Sequence, residues 1–127
     1  MMKLVALWLV TVSVMTLYET STGTAADFKR LSTSQIRTKL AGMEMTDHVH
    51  WVEAYRADGT VRTREMGVTR TGRWRVDANQ LCVDLGKEGG QGCYEVWLSG
   101  NEIELRIVES SALPIQGELQ KSEARKQ

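Results

Sequence analysis

His48 and His50 stand one residue apart, with Asp47 beside them. Alternate residues on a strand share a face, so two imidazoles at this spacing can hold one zinc or copper ion. A metal site needs a third ligand, and the chain has no other histidine. The pair is a weak metal candidate set against two exposed histidines on a strand surface. No cofactor is expected. A second set is Glu53, Tyr55, Arg62 and Arg64. A two-residue turn at Asp58-Gly59 would place Glu53 opposite Arg64 and Tyr55 opposite Arg62, all four facing inward. Two guanidiniums at a barrel mouth suit an anionic group. The plainer alternative is a hairpin tip of solvated cross-strand pairs. Trp51, Trp74 and Tyr94 would line the same interior as core or as cavity wall. Trp97 would face outward, where an exposed tryptophan can anchor a protein partner.

Cys82 and Cys93 are the only cysteines. A redox pair is usually C-x-x-C, and ten residues separate these two, so a structural disulfide is expected. No phosphate-binding loop, Ser/His/Asp set, Cys/His set or paired acids with a catalytic context stand out. A non-enzymatic protein is therefore expected.

These residues need strands to hold them. From Met43 onward apolar residues recur with period two, broken by turn signals at Asp58-Gly59, Thr71-Gly72, Ala78-Asn79, Gly86–Gly92 and Gly100-Asn101. Strands are predicted at 48–56, 60–69, 73–77, 80–85, 93–99, 102–109 and 114–120. Gly67 would mark a bulge or bend in the second of these. The turns set Trp51 opposite Met66, Val49 opposite Val68, Val68 opposite Trp74 and Met66 opposite Val76. They also set Val76 opposite Leu81, Trp74 opposite Val83, Leu81 opposite Tyr94, Val96 opposite Leu105, Tyr94 opposite Ile107 and Leu98 opposite Ile103. Opposite residues share a face, so one apolar face results. His48, His50, Thr63, Glu65, Arg73, Arg75, Asp84, Glu95, Glu104 and Arg106 fall on the other. Upstream, Ser32 to Gln35 has the capping-box form, Gly42 is a helix stop, and Leu31, Ile36 and Leu40 supply an apolar stripe. The expected fold is mainly β: an antiparallel meander of about seven strands, as a small barrel or sandwich, with a short N-terminal helix against one barrel end or sheet face.

Length and charge bound the rest. The chain has 127 residues, with 16 basic against 16 acidic side chains. That balance excludes a strongly basic nucleic-acid binder. Residues 56–75 carry six arginines against two acids, and residues 84–109 carry six acids against two bases. Met1–Lys3 is a positive start, Leu4 to Tyr18 is mostly apolar, and Thr24-Ala25-Ala26 has small residues where a signal peptidase reads. Residues 1–26 are therefore expected to be a cleaved export signal. Residues 27–127 are then one β-rich domain with a frayed tail from Gln120, exported to the periplasm or beyond and without a stable membrane span. The apolar run is shorter than the roughly 20 residues a spanning helix needs.

Asp58-Gly59-Thr60, Gly72-Arg73-Trp74-Arg75-Val76, Leu81-Cys82 and Gly92-Cys93-Tyr94 resemble a pattern in small exported proteins of proteobacteria that are themselves uncharacterised. In that pattern a DGT turn precedes a G-x-W-x-V strand and then two cysteines. The resemblance implies a periplasmic β-domain and transfers no catalytic residue. Gly72-x-Trp74 is also similar to the lipocalin glycine–tryptophan signature, which belongs to the first strand there and is mid-chain here. Small periplasmic inhibitors of proteases or lysozymes share the size, β-content and single disulfide, but none of their specific motifs is present. The expected function is a binding or accessory module of the envelope, with an envelope protein as partner. The alternative is a carrier of a small anionic ligand.

Overall fold

Turn chemistry sets the register of this sheet. In a computed structural model describing residues 27–122, the chain forms β1 (Lys29–Arg30), α1 (Thr33–Leu40), β2 (Met43–Thr46), β3 (Trp51–Tyr55), β4 (Thr60–Glu65), β5 (Val68–Asp77) and β6 (Gln80–Asp84). A one-turn helix α2 (Gly86–Gly89) follows, then β7 (Gln91–Ser99), β8 (Glu102–Arg106) and β9 (Ile115–Lys121). The expected export signal and the last five residues lie outside the described residues.

Strands β2 to β9 form a closed antiparallel barrel, because β7 pairs with β8 as well as β6, and β2 pairs with β9. Short β1 adds to β7 beyond the end of β6, at Trp97 and Leu98. Closure leaves no long open edge, which rules out the sandwich alternative for this sheet. The strand count exceeds the sequence expectation by β1 and β2. Both are short, and Met43-Glu44-Met45-Thr46 has no turn residues to set it off from the loop that follows.

The second half of the barrel has the anticipated register. Val76 faces Leu81, Trp74 faces Val83, Leu81 faces Tyr94, Val96 faces Leu105 and Leu98 faces Ile103. Cys82 faces Cys93 and the two are disulfide-bonded. The pairing stops at Glu95 and Arg106, so Tyr94 has no Ile107 opposite it.

The first half differs by one residue. Asp58-Gly59 does make a turn, but the loop is Ala57-Asp58-Gly59. The Arg56 N–H bonds to the Thr60 carbonyl, the Gly59 N–H to the Arg56 carbonyl, and Gly59 has φ of 87°. A type I turn followed by a left-handed glycine makes a three-residue hairpin, one residue longer than assumed. Trp51 therefore faces Glu65, Glu53 faces Thr63 and Tyr55 faces Val61. The next reversal is Met66-Gly67, with φ of 50° and 81°, rather than Thr71-Gly72. Val49, Met66 and Val68 thus leave the apolar face and are exposed, while Thr63 turns inward and is buried.

Thr71-Gly72 lies inside the ten-residue β5, where pairing passes from β4 to β6 at Arg73. Gly72 is needed for close approach: a Cβ there would collide with the Asp84 carbonyl oxygen.

One barrel end is closed by α1. Ser32 and Gln35 make both bonds of the capping box, and Gly42, with φ of 80°, follows the helix. Ile36 and Leu40 are fully buried beside Leu31, Tyr55, Trp74 and Val76. Asn79 in the β5–β6 turn accepts from the Thr33 N–H at 2.8 Å, and the Gly42 N–H donates to the Tyr55 carbonyl at 2.8 Å. At the far end of the chain Gln120 is not frayed. It lies in β9, and its amide donates to Glu44 at 2.8 Å.

Two changes test this frame. Gly72→Ala should cost about 1–3 kcal/mol, since the opposing atom is backbone and both strands must move. Breaking the disulfide with Cys82→Ala/Cys93→Ala should cost about 3 kcal/mol on loop length. Urea denaturation midpoints measure both; an unchanged midpoint for Gly72→Ala would contradict the close approach at Asp84.

Candidate functional site

The open end of the barrel lies opposite α1. It is ringed by four connections: β2–β3, β4–β5, β6–β7 and β8–β9. Between them is a cavity of about 470 Å³, lined among others by Trp51, Glu53, Thr63, Glu65, Arg70 and Tyr94. That is within the usual size for a small-molecule site. Paired residues share a face, so the register lays Met45, Glu53, Thr63 and Arg70 as one inward row across β2 to β5. Trp51 and Glu65 form the row nearer the rim.

Glu53 is the chemically distinctive member. Its Oε1 accepts the Tyr55 hydroxyl at 2.6 Å. Burial pushes its carboxyl pKa up, the Tyr55 bond acts against this, and the charge of Glu65 adds to the rise. Burial also raises the hydroxyl pKa values of Tyr55 and Tyr94, with the Glu53 charge adding to each. A carboxyl held partly against ionisation in a half-enclosed cavity is a common mark of a functional site.

The predicted residues are redistributed. Trp51, Trp74 and Tyr94 do face the interior; Trp74 is buried, edge-on to Tyr55 at 5.7 Å. Glu53 and Tyr55 face inward as expected. Arg62 and Arg64 do not, because the one-residue shift sends them outward, where both are exposed. The mouth is also at the opposite end from the one expected: α1 closes the Asp58-Gly59 end.

His48 and His50 lie in the β2–β3 connection and not on a strand; β3 begins only at Trp51. Asp47 organises that loop, accepting from the N–H groups of Val49, His50 and Trp51 at 3.0, 2.7 and 3.1 Å. Desolvation pushes the Asp47 pKa up, but these bonds and the His50 ring together outweigh it and hold the carboxyl well below its usual range. His50 Nδ1 is 2.8 Å from Asp47, and His48 Nε2 is 2.9 Å from Glu118. The two imidazoles thus have separate carboxylate partners. Among the described residues no group of three or more His, Cys, Asp or Glu is placed to hold a metal ion.

Trp97 faces outward but is half-buried rather than an exposed anchor. Glu104 lies opposite it on β8 and Arg30 opposite it on β1. The Arg106 guanidinium covers its ring at 4.0 Å from the centroid. Its indole N–H is buried without a hydrogen-bond partner.

Three features of the mouth escaped the sequence reading. Thr63 and Glu65 were placed on the outer face, and Arg70 had no assignment. The third is a set of exposed apolar side chains among the polar residues of the rim. All seven exposed large hydrophobics among the described residues sit at this end: Val49 in the β2–β3 connection, Met66 and Val68 at the β4–β5 turn, and Ile107, Val108, Leu113 and Ile115 around the β8–β9 connection. Val68 and Ile115 begin their strands; the others lie between strands, outside the alternation that period-two patterning reads.

Comparison with protein-family models, characterised proteins and solved structures finds no match. No helix among the described residues is long and apolar enough to cross a membrane.

The state of Glu53 can be read from stability. An acid whose folded pKa lies above its unfolded value costs nothing below the unfolded value, about 4.3. The cost grows as pH rises through the window between the two values, and persists above it. Glu53→Gln keeps an acceptor for Tyr55 and removes that cost. Its Tm should exceed that of the unaltered chain at pH 7, and the gain should vanish as pH falls toward 4. Calorimetry across that range checks it; a lower Tm at pH 7 would mean the buried carboxylate stabilises the fold.

Proposed function

We propose that this chain is an exported, non-enzymatic binding module that carries a small ligand in its open barrel mouth. The observation that carries the reading is the cavity of about 470 Å³ at the one barrel end that α1 leaves uncovered. Its wall combines aromatic faces, from Trp51 and Tyr94, with a carboxyl that the fold does not favour ionising. A small barrel that needed only stability would fill this space with side chains.

Export is part of the proposal. It rests on the basic start, apolar run and small-residue junction of residues 1–26, and on a disulfide suited to an oxidising compartment. The resemblance to exported β-domain proteins points the same way.

The native mass of the protein recovered from its own host tests both parts. The expected species starts at Asp27, is about two mass units light for the disulfide, and carries an added mass that is lost on denaturation. Re-adding the released compound should change the fluorescence of Trp51 and leave a Trp51→Phe variant's signal flat. A bare chain at every ionic strength, with no compound released, would count against the carrier.

A further inference from the structure

The charges of the mouth are not paired with one another. Among the described residues Glu53, Glu65, Arg64 and Arg70 take part in no ion pair. Glu53 and Glu65 stand on neighbouring strands and both face inward, and the charge of Glu65 adds to the rise in the Glu53 pKa. This wall is acidic and adjoins the Trp51 ring. Arg70 lies in the same inward row as Glu53 and Thr63, on β5, one strand beyond Glu65. Its stem runs beside α2, where a Cβ added at Gly89 would stand 2.9 Å from the Arg70 Cδ. Arg64 alternates with Thr63 and Glu65 and reaches the mouth from its outer edge.

Exposed aliphatic side chains lie on the rim above these residues. The β5/β4, β3/β2 and β9/β8 connections are consecutive around the barrel, so their apolar side chains follow one arc, interrupted around Val49 by Asp47, His48 and His50. Met66, Val49 and Leu113 are 78%, 79% and 89% exposed. The fourth connection, Gly86-Lys87-Glu88-Gly89-Gly90, is polar and adjoins Arg70. Exposed apolar clusters of this kind mark contact surfaces.

We propose that the mouth binds a zwitterionic amphiphile with a single alkyl chain. Its ammonium group lies between Glu53, Glu65 and the Trp51 and Tyr94 rings, its phosphate or carboxylate reaches Arg70, and its chain lies along the aliphatic arc. The inference rests on the carrier reading and specifies its ligand. Each alternative head leaves something unmatched. A fatty acid meets two carboxylates. A simple alkylammonium leaves Arg70 without a partner. A neutral alkyl sugar leaves the two acids and Arg70 unpaired. Carboxylates and aromatic faces both attract an ammonium group, and a guanidinium matches a phosphate or carboxylate fork.

Isothermal titration calorimetry of residues 27–127 decides the matter, using four amphiphiles of equal chain length below their micelle concentrations. They are a lysophosphocholine, a fatty acid, an alkyltrimethylammonium and an alkyl glucoside. The lysophosphocholine should bind about tenfold more tightly than each of the others. Glycerophosphocholine, which has the head without the chain, should bind more weakly than the lysophosphocholine by at least about tenfold. Arg70→Gln should erase the advantage over the alkyltrimethylammonium, and Glu65→Gln the advantage over the fatty acid. Met66→Asp/Leu113→Asp should weaken every chain-bearing ligand while leaving the circular dichroism unchanged. Equal affinity for all four heads would overturn the proposal, as would unaltered lysophosphocholine affinity in both charge variants. The panel on the unaltered chain decides even if a variant misfolds. If no amphiphile binds but protein from the host still carries another compound, the ligand class is wrong and the carrier reading stands. If nothing binds and nothing is carried, both fall.

Discussion

The β3–β4 hairpin depends on a left-handed glycine. Gly59 completes a three-residue loop that most side chains would strain, and its carbonyl accepts the Trp74 N–H of β5 at 2.9 Å. One position therefore fixes the register of β3 on β4 and ties both to the strand beyond. The consequence is a choice of face. With this register Glu53, Tyr55, Val61, Thr63 and Glu65 look inward, and Arg62 and Arg64 look out. One residue fewer in the loop would reverse β4 and put two guanidiniums inside. The chemistry of the interior follows from the length of a turn.

The two barrel ends solve different problems. At the α1 end Ile36 and Leu40 seal a dry interior, and even Trp74 satisfies its indole N–H, on the Arg56 carbonyl at 2.8 Å. At the other end the inward rows turn polar, and no helix covers them. Buried polar groups are costly unless paired, and Glu53 has a single hydrogen bond, from Tyr55. The barrel thus packs apolar side chains against α1 and places the buried Glu53 carboxyl toward the open end, while two other buried polar atoms, Glu95 Oε2 and the Trp97 indole nitrogen, lie without hydrogen-bond partners on the outer face of β7.

Legibility in the sequence followed turn chemistry. Ala78-Asn79 and Gly100-Asn101 carry recognisable turn residues, and the hairpins around them had the right register, disulfide included. The capping box of Ser32 and Gln35 was readable for the same reason: short-range hydrogen bonds need particular side chains at a fixed spacing. Met66-Gly67 was read only as a bulge or bend at Gly67, not as a reversal. Methionine is an unusual residue for φ of 50°, and nothing in its type announces a reversal. Thr71-Gly72 misled in the opposite sense, because a glycine required for close backbone approach looks like a glycine required for a turn. Barrel closure was out of reach, since it depends on β2 pairing with β9 across most of the chain. The candidate site inherited these errors. Its aromatic wall was legible, while Thr63, Glu65 and the rim depended on the two misread turns.

The uneven charge along the chain takes on a different meaning once folded. The basic segment 56–75 and the acidic segment 84–109 are not two poles. Arg73 lies opposite Asp84, Glu95 opposite Arg106, and Arg106 holds Glu104 at 2.9 Å. Arg30 approaches Glu95 at 3.5 Å, close enough for attraction though not for a hydrogen bond. On the outer face the two segments meet across strands at Arg73 and Asp84, while Arg106 and Arg30 serve acids of the second segment, each at a modest gain. The mouth has the opposite arrangement. Its acids Glu53 and Glu65 stand on neighbouring strands, and neither they nor Arg64 and Arg70 take part in an ion pair among the described residues. The outer face sets opposite charges across from each other at Arg73 and Asp84 and at Glu95 and Arg106, whereas the inward acids Glu53 and Glu65 have no basic residue directly opposite them.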